Sequence, residues 1–503
     1  MTMCTFDWRR PARTLGVVAL LAAVTTLAAC APDRVLGNGQ LPPNVPDPAA
    51  TRTPEGALNA YRGTLVELRR FVSDAVLTSG LVSDELRSPF YGAPAGVTDP
   101  AMVVDSHNMP EYTDRDIESS LGRPELYRAV YSNLQEVRNQ AGQSIGLLRD
   151  FSPNTSPALI GHMYAVEGYV EILLADLYCS GIPLSTIDYN GDFTLEDGTP
   201  TLEVYARAAA LLDSAIALSA DSARILNLAR VGKARALLAR GEYAAAAALA
   251  AQVPDGFSYQ LIYAPASVDG GIATNFAYIP STGQPSFTVS DTEGVNGLDY
   301  RSSGDPRTAT IKQTVNQYGE PMYVAKKYNN LGSSPIVLAD AIEARLIEAE
   351  AQLNGAAAGD WLTTLNTLRT TGAFTGVDTV VARVDTTVVG GTPQIDTTYR
   401  YDTLWVAGTG GVAGLGPLRD PGTPDARVNL LFRERAFWLF LTGHRQGDMR
   451  RLIRQYGRDP DTVYPVGGYR GGAGTYGPTF TLPIPAVERA SNPKFTGCIN
   501  RGA

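Results

Sequence analysis

Apolar residues recur along this chain at steps of three and four over much of its length. From about Thr51 the run Leu58, Tyr61, Leu65, Leu68 and Val72 makes one stripe on a helical face. Similar amphipathic stretches span about 123 to 150, 156 to 180, 201 to 219 and 222 to 239. The second of these, "TSPALIGHMYAVEGYVEILLADLYCSGIP", stops where Gly181 and Pro183 disfavour further helix.

Within "GKARALLARGEYAAAAALAAQVP", Ala234, Leu237, Gly241, Tyr243 and Ala246 follow a tetratricopeptide-like rhythm. Small residues there let two antiparallel helices approach, and glycine makes the turn between them. A second pair is expected where Leu338, Ile342, Leu346, Ala349 and Leu353 stripe one helix and Trp361, Leu365 and Leu368 the next. Such pairs cannot bury their apolar faces alone and must stack on neighbours. The fold class is therefore mainly α: a helix-pair scaffold interrupted by long irregular loops.

Two segments break the pattern. Residues 254–334 are rich in Gly, Ser, Asn, Asp and Tyr, and a structureless loop of that length is improbable, so short strands and functional loops are expected. In the region 374–423, "VDTVVARVDTTVVGGTPQIDTTYRYDTLWV" alternates Val with Thr or Tyr about a Gly-Gly-Thr-Pro turn, which predicts a small β-hairpin insertion.

The first 29 residues have the three parts of a secretion signal. Arg9, Arg10 and Arg13 form the basic region, Gly16 to Leu27 the apolar run, and Ala28 and Ala29 the small residues before a cut. The run falls short of the ~20 apolar residues a spanning helix needs. Leu27, Ala28, Ala29 and Cys30 resemble a bacterial lipobox, which implies a mature chain beginning at a lipidated Cys30. Ala31, rather than Asp, follows that cysteine, so the resemblance points to outer-membrane delivery. Residues 30–50, rich in Pro, Gly and Asn, read as a tether, and 51–503 as a single body.

Composition and charge narrow the chemistry further. With 44% hydrophobic and 18% charged residues the chain is globular. Its net charge of −9, or −11 once the +2 of residues 1–29 is removed, repels a phosphate backbone, so nucleic acid is not an expected partner. Outside the signal and the lipid site, Cys179 and Cys498 remain. An even pair suits one disulfide in an oxidising compartment, and two separate buried thiols are the alternative.

The three histidines, His107, His162 and His444, do not stand at zinc-like spacing, and no metal is expected from them. In "DYNGDFTLEDGT", Asp188, Asn190 and Asp192 fit positions 1, 3 and 5 of a calcium loop. Phe193 replaces its glycine and Thr199 its bidentate glutamate, so a plain loop is preferred and no cofactor is expected. The Gly-rich "GTGGVAGLG" and "GGYRGGAGTYG" lack the Lys-Ser or Lys-Thr of a phosphate loop.

The densest chemistry lies in "RERAFWLFLTGHRQGDMRRL". His444, Arg445 and Asp448 could relay protons, but no serine, cysteine or second carboxylate nearby has a nucleophile's role, so no catalytic residue is assigned. Arginine forks lock buried carboxylates bidentately, which predicts that Glu434, Arg435, Arg445 and Asp448 form one paired network between two helices.

That same stretch resembles the late signature of the SusD/RagB family, in which an Arg-Glu-Arg-Ala helix leads to Gly-His-Arg and then Asp-x-x-Arg. "LPIPAVERASNP" is similar to the family's terminal run. "LADLYCSGIPLS" resembles its helix exit before a Gly-x-Pro-Leu turn, and Asn366 with Arg369 in "LNTLRTTG" match another helix end. These matches lie in family order and, with the lipobox, span the mature chain. The resemblance implies a SusD-like tetratricopeptide scaffold and a lipid-anchored outer-membrane protein facing the exterior. It implies a lid over a SusC-like TonB-dependent transporter barrel, capturing an oligosaccharide or, in some members, a peptide, and no enzyme. The Cys179 to Cys498 pair and the 374–423 hairpin depart from the commonest members.

Capture of a sugar needs aromatic faces beside amide and charged groups. Phe90 and Tyr91 in "SPFYGAP", Tyr278 in "NFAYIP", and Tyr300 with Asp299 and Arg301 in "GLDYRSSGDPR" are the candidates, although a loop tyrosine is more often a packing plug than a ligand platform. Two other functions compete: a lipid-anchored helical-repeat scaffold for envelope protein assembly, and a secreted hydrolase, for which no catalytic constellation is found.

Overall fold

A computed structural model describes residues 48–90, 100–109, 126–265, 274–277, 287–328, 332–371, 376–389, 392–404, 412, 414–469 and 474–502. The signal, Cys30 and the tether lie outside them. The longer helices are α1 (Pro54–Val82), α2 (Leu126–Phe151), α3 (Pro157–Leu177), α4 (Thr201–Leu218), α5 (Ala223–Ala239), α6 (Tyr243–Ala250), α7 (Ala341–Leu353), α8 (Trp361–Thr371), α9 (Pro424–Trp438) and α10 (Arg445–Tyr456). The strands that matter here are β1 (Ser258–Leu261), β2 (Thr310–Val315), β3 (Pro321–Ala325), β4 (Ile336–Asp340), β5 (Gly376–Val389) and β6 (Thr392–Leu404).

Successive helices pack on one another: α1 on α2, α2 on α3, α3 on α4, α4 on α5, α5 on α6, and α7 on α8. Their starts carry the expected signals, with Thr53 and Ser156 capping α1 and α3 through side-chain oxygens ahead of a proline. Gly241 makes the turn from α5 to α6 at φ +80°, a conformation that glycine adopts without strain. Close approach explains a second glycine: a Cβ on Gly232 would lie 2.6 Å from the Tyr169 ring, so α5 can cross α3 only without a side chain there. Helix α3 is long and apolar enough to span a membrane, yet 78% of its apolar window is buried by neighbouring helices, so it is the central core helix of this body.

One helix begins later than the apolar stripe suggests. Leu338 belongs to β4, which pairs antiparallel with β1, and α7 starts at Ala341, where Asp340 caps the amide of Glu343 at 2.8 Å. The β-branched run before Asp340 finds a strand partner and the aspartate ends it. Within residues 254–334, β2 and β3 form a hairpin, and Thr288–Val289 pairs with Leu86–Arg87. Strands β5 and β6 pair with each other down to Val389 and Thr392 and with no other strand among the described residues, as an inserted hairpin should. Its turn glycines, Gly390 and Gly391, lie outside those residues.

The C-terminal tail returns to α3. Tyr178 bridges Leu482, Ser180 bridges Asn500, and Cys179 and Cys498 are joined as a disulfide with their Cα atoms 5.8 Å apart.

Candidate functional site

The Arg-Glu-Arg-Ala and Gly-His-Arg stretch forms α9, a short turn and α10. Arg435 grips Asp448 bidentately at 2.8 and 2.9 Å, and Arg451 adds bonds of 2.8 Å to Asp448 and 2.9 Å to Glu350 of α7. Burial alone would raise the Asp448 pKa, but the two guanidiniums outweigh it and hold the carboxyl well below the usual range.

The single network expected from the sequence is corrected here into three. Glu434 does not join Asp448; it receives Arg307 at 2.7 and 3.1 Å and Arg369 of α8 at 2.7 Å. Arg445 turns to Asp84 just beyond α1, at 2.7 and 3.0 Å. The reason is geometric, because neighbouring residues on a helix face different sides. Adjacent charges in the sequence therefore fasten α9 and α10 to α8, α7 and the end of α1 separately.

His444, Arg445 and Asp448 have the same fate. His444 Nδ1 bonds the Thr442 hydroxyl at 2.8 Å and Nε2 lies 3.3 Å from Glu343, while Arg445 and Asp448 hold the partners given above. Burial and nearby Arg235 lower the His444 pKa against the pull of Glu343. Each member is bonded elsewhere, so the triplet is a structural junction.

Tyr300 is also corrected. It is fully buried, stacked against Phe437 and Phe440 with centroids 5.4 and 5.0 Å away, and its hydroxyl donates to Asp84 at 3.1 Å. A ring with no exposed face cannot stack on a sugar, and Tyr300 is a packing plug. Phe90 is half-buried; Tyr91 and Tyr278 lie outside the described residues. Arg301 lies 4.0 Å over the Tyr323 ring. The calcium-like segment is a tight turn in which Asp188 accepts the amides of Asn190 and Asp192 at 2.8 and 3.0 Å.

Asp299 leads to an open surface. Its carboxylate bonds Arg433 at 2.6 Å, both side chains are about 37% exposed, and the Asp299 pKa is lowered by that bond. Arg433 lines a cleft of about 420 Å³ with Asn296, Asn429, Arg458 and Thr462, against apolar Leu298, Phe432 and Val463. Amides, guanidiniums and a hydroxyl around an apolar patch suit a polyhydroxylated ring, whose C–H face packs on carbon while its hydroxyls find polar partners. The sequence reading missed Asn296, Asn429, Arg433 and Arg458. One signal was present: Asn429 and Arg433 are four apart in α9, hence on one helical face beside Phe432.

No sequence-family model matches the chain, and no curated protein resembles it in sequence. Solved structures do resemble it in fold. A SusD superfamily protein from Bacteroides thetaiotaomicron has a TM-score of 0.60 at 12% identity, covering 89% of this chain and 99% of that one. Surface glycan-binding protein A from the same organism has a TM-score of 0.57 at 13% identity, with coverage of 89% and 99%. B. fragilis NanU has a TM-score of 0.54 at 14% identity, with coverage of 91% and 99%. The chain has the SusD-like fold, built mainly of α-helices, over nearly the whole length of these proteins.

Proposed function

We propose that this protein is a binding lipoprotein of the outer membrane that captures an oligosaccharide at the cell surface, without cutting it, and passes it to a partner TonB-dependent transporter as that barrel's lid. The SusD-like fold over 89% of the chain, shared with a structure named as a surface glycan-binding protein, carries this reading. Support also comes from the lipobox-like Leu27 to Cys30 and from the polar, half-apolar cleft at Arg433. In this reading the anchor at Cys30 tethers the body at the membrane, where two or more lipid chains give stable attachment.

Two measurements test it. The lipidated chain, purified from outer membranes, should bring a large TonB-dependent barrel with it; its reproducible absence would sink the lid role. Titration against glycan and peptide panels should give an oligosaccharide whose affinity falls about tenfold or more in Arg433→Ala, the scale of one lost charged hydrogen bond. Peptide binding alone would move the ligand class. Binding to neither, with tight capture of an assembly protein, would replace the proposal with an envelope scaffold.

A further inference from the structure

A second cleft, of about 330 Å³, opens where α1, the end of α3's first turns, the start of α5 and β1 meet. Across it runs a hydrogen-bonded row: the Tyr61 hydroxyl to His162 Nδ1 at 2.8 Å, and His162 Nε2 to the Tyr259 hydroxyl at 2.7 Å. His162 and Tyr259 are buried and Tyr61 is half-buried.

Burial and the nearby Arg224 push the His162 pKa down to about 3, so at neutral pH the ring carries one N–H. Two phenols and one imidazole then supply three donors for two hydrogen bonds, and one phenolic proton is left over. Leaving it on buried Tyr259 would cost the desolvation of an unsatisfied donor. The favoured arrangement puts the ring proton on Nδ1, lets Tyr259 donate to Nε2, and leaves the Tyr61 O–H free on the cleft side.

Two guanidiniums line the same space. Arg224 lies 4.3 Å over the Tyr259 ring, and neither its side chain nor that of Arg69 has a carboxylate or hydrogen-bond partner among the described residues. Other arginines in this fold are matched to acids, as Arg235 is to Glu343 and Arg451 to Glu350, or to backbone carbonyls, as Arg450 is to Asp176 and Tyr178. Among the described residues the lining of this cleft has no Asp or Glu, while Leu65 and Ile225 give it apolar walls. It is a concave site offering an excess of donors and positive charge beside hydrocarbon.

We propose that this cleft is a second binding site, separate from the one at Arg433, and that it takes a carboxylate borne on a hydroxylated ring: an acidic sugar. Arg69 and Arg224 bind the carboxylate, the spare Tyr61 proton adds a hydrogen bond to it, and the aliphatic walls take the ring face. That the carboxylate belongs to a sugar rests on the glycan-binding reading above; that the cleft takes an anion does not.

Calorimetric titration of the purified full chain with D-glucuronate, D-glucose and acetate tests the proposal. Glucuronate should bind at least about tenfold more tightly than either glucose or acetate, and Arg224→Gln and Arg69→Gln should each lower its affinity about tenfold or more, as the loss of a charged hydrogen bond does. Both variants change surface-facing side chains with no acid or hydrogen-bond partner among the described residues, and circular dichroism should match the parent, with melting changed by no more than the loss of the Arg224 to Tyr259 ring contact. Tyr61→Phe removes the spare donor together with the acceptor of the His162 Nδ1–H, so it should weaken glucuronate and lower the melting temperature as well. Equal affinity for glucose and glucuronate, or glucuronate binding unchanged in both arginine variants, would overturn the site. Acetate equal to glucuronate would overturn its assignment to a sugar. Loss of glucuronate binding in Arg433→Ala alone would place the acid in the other cleft and overturn this one. Neutral-oligosaccharide binding, measured on the same variants, reads the earlier proposal separately.

Discussion

Replacing Asp448 with asparagine removes the centre of a buried charge cluster while keeping its shape. Asp448 is 4% exposed and accepts three N–H bonds from Arg435 and Arg451. In Asp448→Asn the amide turns at least one N–H toward a guanidinium, and the two arginines are left to share Glu350, which lies 2.9 Å from Arg451 and 3.8 Å from Arg435. Breaking a buried pair from one side typically costs about 3 to 5 kcal/mol, because the remaining charge stays buried. For a body of roughly 450 residues, with unfolding entropy near 2.1 cal/mol/K per residue, that is a fall in Tm of about 3 to 5 °C. The control is Arg433→Gln, which breaks a solvent-screened pair and should cost under about 1 kcal/mol, or ~1 °C. Melting of the three proteins side by side by calorimetry reads the difference. An Asp448→Asn protein melting within about 1 °C of the parent, or an Arg433→Gln protein losing as much, would refute the claim that burial gives this cluster its weight.

Other consequences follow from single contacts. In Gly447→Ala a Cβ would sit 2.6 Å from Asp176 Oδ1, forcing α10 away from α3; overpacking of this kind should cost about 1 to 3 kcal/mol in urea unfolding, and an unchanged midpoint would rule it out. Reducing the Cys179 to Cys498 bond opens a loop of 319 residues and should cost about 2 to 5 kcal/mol, with amide exchange near Asn500 accelerating first. For pH, His162 is held neutral down to about 3 by burial and Arg224, against an ordinary value of 6.5. Its folded pKa is depressed, so its contribution is complete above about 6.5 and is lost as pH falls toward 3, where only the unfolded chain takes the proton. Half-buried Asp74 and buried Glu171, raised to about 6 and 7 chiefly by desolvation, titrate in the opposite sense. The readout is therefore the stability gap between His162→Gln and the parent, which should narrow from pH 6.5 toward 3; a constant gap would contradict a buried neutral ring.

Periodicity alone located α1 through α6 and α8 closely, because an amphipathic stripe must be buried wherever the chain goes and its spacing is a local property. The hairpin of β5 and β6 was equally legible, since alternation about a Gly-Gly turn needs no distant partner. The start of α7 was less so: Leu338 fits a helical stripe as well as a strand, and only pairing with β1 chose the strand.

Charge partners were beyond sequence reasoning. "RERAFWLFLTGHRQGDMRRL" shows that arginines and acids are close in the chain, and it suggested that they pair with one another. Packing instead sends Glu434 to Arg307, Arg445 to Asp84 and His444 to Glu343, because a helix turns adjacent side chains to different neighbours and those neighbours come from remote segments. Composition and position likewise made Tyr300 a plausible ligand platform, and burial between Phe437 and Phe440 made it core. By itself the sequence determined the helical repeat, the hairpin and the resemblance to SusD-like proteins, all of which depend on local spacing. Only the tertiary structure decided which tyrosines are walls and which arginines stand at a cleft without an acid partner among the described residues, since both depend on what the rest of the chain places opposite them.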